Sequence, residues 1–216
     1  MIFWDDLNWE KLFADYDVKF ETTADNGKVI QYYNPIRLFT EKDVDGEFAG
    51  TTITCSNRSA GKTSAFAAAS CILCKEYGMQ TGWIFRTKGE MTGAAAMYED
   101  MLQQYPKLGS AITYKNLDKN GNVVRYFLDG EPFGCAFSFG SKMDSVKKLS
   151  PYFRDIYFLF FDEFSMESGQ YVKGECEKLQ SLLITISRGN GMQSRWFKLV
   201  MASNNISLLN PYFVFF

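Results

Sequence analysis

The stretch TCSNRSAGKTS, Thr54 to Ser64, constrains this chain more than any other. Ahead of it, GTTITCS (Gly50 to Ser56) is β-branched and predicts a strand feeding a loop. Behind it, KTSAFAAASCILCKEY is Ala-rich without Pro or Gly, which predicts a helix from Lys62 to about Tyr77, closed by Gly78. Strand, glycine-lysine loop and helix together make a phosphate site, because successive backbone N–H groups point inward and the helix N-terminus adds its positive end. Gly61 permits close approach, Lys62 reaches the β and γ phosphates, and the Thr63 hydroxyl can hold Mg²⁺. The first loop position departs from the pattern, with Ser56 where a glycine is expected. Serine costs backbone freedom, but it is small and enters turns readily. Ser56, Asn57, Arg58, Ser59, Ala60, Gly61, Lys62 and Thr63 are therefore the expected nucleotide-binding set, with ATP and Mg²⁺ as ligands. Arg58 either reaches the phosphates from within the loop or is simply solvated.

A second stretch completes the constellation. IYFLFF, Ile156 to Phe161, reads as a strand buried on both faces, and it ends at Asp162 and Glu163. A carboxylate at such a tip can hold the metal shell while its neighbour polarises water, so Asp162 is assigned to metal and Glu163 to the water. The chain has no histidine, which removes imidazole bases, His metal sites and Ser-His triads and leaves carboxylates, Lys, Arg and metal to do any chemistry. Arg188, at the end of the helix predicted from GECEKLQSLLITIS, either projects into a neighbour's γ-phosphate or satisfies its own last carbonyls. Asn204, at the tip of the strand in WFKLVMASNN, either bonds γ-phosphate or attacking water, or makes an Asx turn.

These elements imply one α/β domain. TGWIFRT reads as a second strand and GEMTGAAAMYEDMLQQYP as a helix broken by Pro106, a crossover that implies a mainly parallel sheet. Between Ile112 and Phe139, Asn120-Gly121 and Asp129-Gly130 are hairpin turn signals, so an antiparallel β-meander is expected as an insert. The expected organisation is a lead-in over 1–48 with a short amphipathic helix, a loop-bearing half over 49–110, the hairpin insert over 111–140, and an acidic-strand half over 141–216. The chain carries 23 Lys and Arg against 25 Asp and Glu, so any DNA contact must be local. Lys142, Lys147, Lys148 and Arg154, in GSKMDSVKKLSPYFR, are either that contact or a solvated basic loop. Five cysteines without a second pair suit a reducing compartment, and Cys71 and Cys74 read as packing residues. The acidic start and the lack of a long apolar run predict a soluble, intracellular protein with no membrane partner. The apolar ending NPYFVFF suggests a piece of a longer protein.

SNRSAGKT, FFDEF, VMASNN and NPYFVFF, in that order, together with YFLDGEPFG, resemble the DNA-packaging (encapsidation) ATPases of phi-29-like phages, relatives of the large terminases. The resemblance runs from about Tyr33-Asn34-Pro35 to the last residue. It implies an ASCE-type P-loop NTPase core acting as a homopentameric ring at the portal of a prohead in the host cytoplasm. It also implies ATP-driven movement of double-stranded DNA, with a structural RNA as a possible further partner. On this resemblance Lys62 and Thr63 bind phosphate and Mg²⁺, Asp162 is the metal carboxylate, Glu163 is the catalytic glutamate and Arg188 is the trans-acting arginine finger. Ser203-Asn204 takes the place of the coupling segment. The resemblance also implies a nuclease-like C-terminal domain after a linker, which is expected to lie outside these 216 residues. Two other classes share the loop, a small-molecule kinase and a nucleotide switch that does not hydrolyse. Adjacent acids on a core strand suit water activation better than either, and stimulation of ATP hydrolysis by DNA would separate the motor from both.

Overall fold

The computed structural model describes residues 4–56, 61–140, 146–165, 171–188, 196–204 and 210–215. Strand β3 (Thr51–Cys55) and helix α3 (Lys62–Tyr77) flank the glycine-lysine loop as expected. Gly61 sits at φ 79°, in the left-handed region, which a side chain would strain; it is the residue from which α3 departs. At the other end the Gly78 and Met79 amides donate to the Cys74 and Leu73 carbonyls, the double bond that closes a helix in this way.

Strand β4 (Gln80–Phe85) follows, then helix α4 (Lys88–Gln104), which opens on a reciprocal Thr87–Glu90 capping box. Such a cap contributes about 1 kcal/mol. The remaining strands of the main sheet are β5 (Ile112–Asn116), β6 (Val123–Leu128), β7 (Glu131–Ser138), β8 (Ile156–Asp162) and β9 (Lys198–Ser203). Their order is β3-β9-β8-β4-β7-β6-β5, parallel from β3 through β7 and antiparallel in the last two pairs. The two hairpin turns fall where Asn120-Gly121 and Asp129-Gly130 place them. The meander is no separate layer, because β7 pairs in parallel with β4 and carries β6 and β5 as an extension of the same sheet. A Cβ on Gly134 would lie 2.0 Å from the Thr81 carbonyl oxygen of β4, so that close pairing requires glycine.

Both sheet faces are covered, which is why β8 is apolar at successive positions. Phe158 and Phe160 enter one core with Phe66 of α3, Trp83 and Tyr98. Leu159 and Phe161 enter the other with Leu179, Leu182 and Ile186 of helix α5 (Glu175–Ser187). Burying each such aromatic side chain contributes roughly 1.5–3 kcal/mol. The first core continues into the lead-in. There helix α1 (Trp9–Asp15) buries Trp9, Leu12 and Phe13, and the Trp4 indole donates to the Phe39 carbonyl at 2.7 Å. Phe39 belongs to a short helix α2 (Ile36–Thr40), and a hairpin of β1 (Glu21–Thr23) and β2 (Val29–Gln31) precedes it. The sequence pattern gave no sign of either. The last element is α6 (Pro211–Phe215). Among the described residues no helix is long and apolar enough to cross a membrane.

Candidate nucleotide site

Three neighbouring strands end side by side. Cys55 of β3 is opposite Ser203 of β9, and Ala202 of β9 is opposite Asp162 of β8. The carboxyl ends of parallel strands open onto the crevice where α/β sheets bind ligands, and here they bring the loop, the acidic pair and Asn204 to one edge. The Ser56 amide donates to the Ser203 carbonyl at 3.1 Å, so the first loop residue is tied to the β9 tip.

Within that edge Lys62 is buried, and its ammonium donates to the Ser56 hydroxyl at 2.9 Å and to the Ser56 carbonyl at 3.3 Å. The side chain at the unusual first position thus holds the Lys62 ammonium. At the second residue of α3, the Thr63 hydroxyl donates to Asp162 Oδ2 at 2.5 Å, while Asp162 Oδ1 accepts the Glu163 amide at 3.0 Å. Burial pushes the Asp162 carboxyl above its ordinary value, and the bonds from Thr63 and the Glu163 backbone pull the other way. Glu163 is exposed and sits at φ 52°, a left-handed conformation that a glutamate rarely adopts.

Asn204 follows β9 and is half-buried; its carbonyl accepts from the Ser203 hydroxyl at 2.9 Å. Arg188 is exposed at the C-terminal end of α5 and is not brought to this edge by its own chain. The other end of α5 is at the edge, where Glu175 pairs with Arg86 at 3.0 Å. At 1.5 Å per residue, Arg188 lies about 20 Å along the helix from Glu175. Lys147, Lys148 and Arg154 are exposed before β8. Asn57, Arg58, Ser59, Ala60, Lys142 and Gly189 lie outside the described residues.

Sequence reasoning passed over three residues at this edge. Arg86, at the end of β4, is buried and donates to the Glu163 and Phe164 carbonyls as well as to Glu175. Glu175 in turn accepts from the Tyr212 hydroxyl of α6. The available signal was an arginine directly after the buried run WIF, since a charge buried there needs a partner. A cleft of about 180 Å³ beside the loop, lined by Phe20, Tyr32, Tyr33, Gly61, Ser64 and Tyr105 among others, was also not foreseen.

A helix-flanked, mainly parallel sheet with a Gly-Lys-Thr turn after β3 and an acidic pair at the end of β8, with β9 between the two strands, defines the fold of an ASCE-type P-loop NTPase domain. The crystal structure of the N-terminal domain of the DNA packaging ATPase from bacteriophage phi29 shares this fold, with a TM-score of 0.63 at 23% identity over 85% of this chain and 84% of that one. A structure of the phi29 viral genome packaging motor assembly gives a TM-score of 0.61 at 22% identity over 85% of this chain and 50% of that one. Residues 28–216 match the podovirus DNA encapsidation protein (Gp16) family, and the chain belongs to it. The DNA packaging protein of Bacillus phage phi29 is 25% identical over 187 residues, 86% of this chain and 50% of that protein. That of Bacillus phage B103 is 26% identical over 145 residues, 65% of this chain and 40% of that protein. The chain therefore spans about half the length, or less, of these curated relatives.

Proposed function

We propose that this chain is the ATP-hydrolysing part of a DNA-packaging motor, which binds ATP with Mg²⁺ and uses hydrolysis to drive double-stranded viral DNA into a prohead. The observation that carries the reading is the convergence of Lys62, the Thr63–Asp162 pair and Glu163 on neighbouring strand tips. Lys62 binds the β and γ phosphates, with the loop amides from Ser56 to Thr63 around them. The Thr63 hydroxyl and the Asp162 carboxylate, 2.5 Å apart and with the carboxyl pushed up by burial, form an oxygen pair suited to a hard divalent cation. When bound, Mg²⁺ neutralises charge across the phosphates. Glu163 takes the proton of the attacking water, and Asn204 hydrogen-bonds that water or the γ-phosphate. The aromatic cleft beside Gly61 suits the planar base of the nucleotide.

Arg188, exposed about 20 Å along α5 from Glu175, serves a neighbour's nucleotide as a trans-acting finger. The sites are then shared between subunits of a homo-oligomer, a pentameric ring at the portal of the prohead in the host cytoplasm, with a structural RNA as an optional further partner. Lys147 and Lys148, with Lys142, grip DNA phosphates weakly enough to release them, as a translocating motor requires. Residues 1–48, 49–110, 111–140 and 141–216 act as the lead-in, loop, hairpin and coupling parts of one ATPase domain.

Two variants test the site. Lys62→Ala abolishes ATP binding, measured by calorimetry, whereas Glu163→Gln binds ATP as the wild type does and loses about 10²- to 10⁴-fold in turnover. Normal hydrolysis by Glu163→Gln contradicts the assignment of the base.

A further inference from the structure

We propose that Arg86, Glu175 and Tyr212 form a positioning relay through which the C-terminal segment fixes the backbone presenting Glu163. The inference rests on the reading of Glu163 as the base. Arg86 is 5% exposed, Glu175 3% and Tyr212 fully buried, so each polar group must find its partner inside the protein. The guanidinium spends its donors in two directions. Nη1 and Nη2 hold the Glu163 and Phe164 carbonyls, two successive peptide units, while Nε bonds the Glu175 carboxylate at 3.0 and 3.3 Å. Its plane lies over the rings of Phe161 and Tyr171, at 5.3 and 5.5 Å.

The backbone so gripped is the one that would otherwise relax. Glu163 stands at φ 52°, where a residue with a Cβ persists only when its surroundings hold it. The Phe164 amide donates to the Ala202 carbonyl of β9 at 3.2 Å, so the Glu163–Phe164 peptide unit is held at its N–H by β9 and at its carbonyl by Arg86. The orientation of the Glu163 side chain follows from these bonds, and Arg86 supplies two of them without touching the carboxylate.

Glu175 is the middle of the relay. Its Oε1 accepts from both Arg86 Nε and the Tyr212 hydroxyl, and its Oε2 accepts the Val172 amide at 2.9 Å. Burial and the neighbouring carboxylate push the Tyr212 phenol up, so it stays a donor. The Tyr212 ring packs edge-on against Phe161 and Phe164, at 5.6 and 5.7 Å, and the Asn210 side chain accepts the Tyr212 and Phe213 amides at the start of α6. The NPYFVFF motif, which nucleotide binding alone does not require, thereby acquires a role. Displacing α6 withdraws a bond from Glu175, frees Arg86 and releases the left-handed turn at Glu163. Whatever moves the segment after β9 thus acts on hydrolysis.

Tyr212→Phe tests this in the 216-residue chain, because it deletes one hydroxyl and keeps the ring. Three quantities are compared with the wild type: the ATP dissociation constant, the single-turnover hydrolysis rate, and hydrogen exchange of the amides over residues 160–165. The expected result is an unchanged dissociation constant, hydrolysis slowed at least fivefold and exchange at Phe164 accelerated at least tenfold. Arg86→Lys, which keeps the charge but cannot hold two carbonyls and a carboxylate together, has the same effect more strongly. Unchanged exchange in both variants overturns the relay, as does unchanged hydrolysis or affinity lost in step with rate, the mark of general loosening. If the wild type neither binds nor hydrolyses ATP, the proposed function fails, and the exchange comparison alone decides whether the relay exists.

Discussion

On the proposed reading, Asp162 carries opposite demands from stability and from chemistry. Burial raises its carboxyl above the ordinary 3.8, so the folded chain binds its proton more tightly than the unfolded chain does. A raised folded value means that the contribution to stability is full below the unfolded value and is lost as pH rises through the folded one, so at neutral pH the ionised group costs stability. Asp162→Asn is therefore expected to raise the melting temperature of the nucleotide-free chain by about 2–4 °C at pH 7, the scale of a ~1 kcal/mol gain in a chain this size. The gain vanishes near pH 3, and Mg²⁺-dependent ATP binding weakens. Thermal melts at the two pH values check it, and a variant that melts lower at pH 7 contradicts it. That Lys62, Thr63, Asp162 and Glu163 come together was legible in the sequence, because the glycine-lysine turn follows a β-branched strand and the acidic pair ends a buried one. Arg86, Glu175 and Tyr212 were not, because their pairing joins residues 89 and 37 positions apart. Nothing local distinguishes a strand-end arginine in solvent from one turned inward.

At the level of elements, periodicity and turn chemistry located the strands and helices around the loop to within a residue or two. The predicted strand over 50–56 is β3 at Thr51–Cys55, and the helix to about Tyr77 is α3 at Lys62–Tyr77. The hairpin turns were legible because Asn-Gly and Asp-Gly favour positive φ. Their partner strand was not, since adding β7 to β4 is a long-range choice. That choice leaves one steric mark, the close approach of Gly134 to Thr81. Gly134→Ala places a methyl group 2.0 Å from a backbone oxygen that cannot turn aside, so it is expected to cost at least ~3 kcal/mol, the upper range for overpacking. Denaturant unfolding measures it, and a loss under ~1 kcal/mol would mean that β4 and β7 can separate without penalty. The β1–β2 hairpin and α2 escaped the sequence reading for the opposite reason. Both strands of the hairpin are exposed along their length and α2 has only five residues, so neither leaves a periodic pattern.

For the whole molecule, the sheet gathers the loop, the acidic pair and Asn204 at one edge and leaves Arg188 at the far end of α5. On the proposed reading that separation is functional, because an arginine out of reach of its own nucleotide serves a neighbour's. Arg188→Ala is then expected to leave ATP affinity intact and to cut turnover by about 10³-fold or more, the range for loss of such a finger. Mixing it with Lys62→Ala restores part of the turnover, since each variant supplies what the other lacks. The most direct measurement is steady-state ATP hydrolysis across a protein concentration series, with and without double-stranded DNA. The account predicts a rate per subunit that rises with concentration and rises further with DNA. Turnover that is independent of concentration and indifferent to DNA would contradict it.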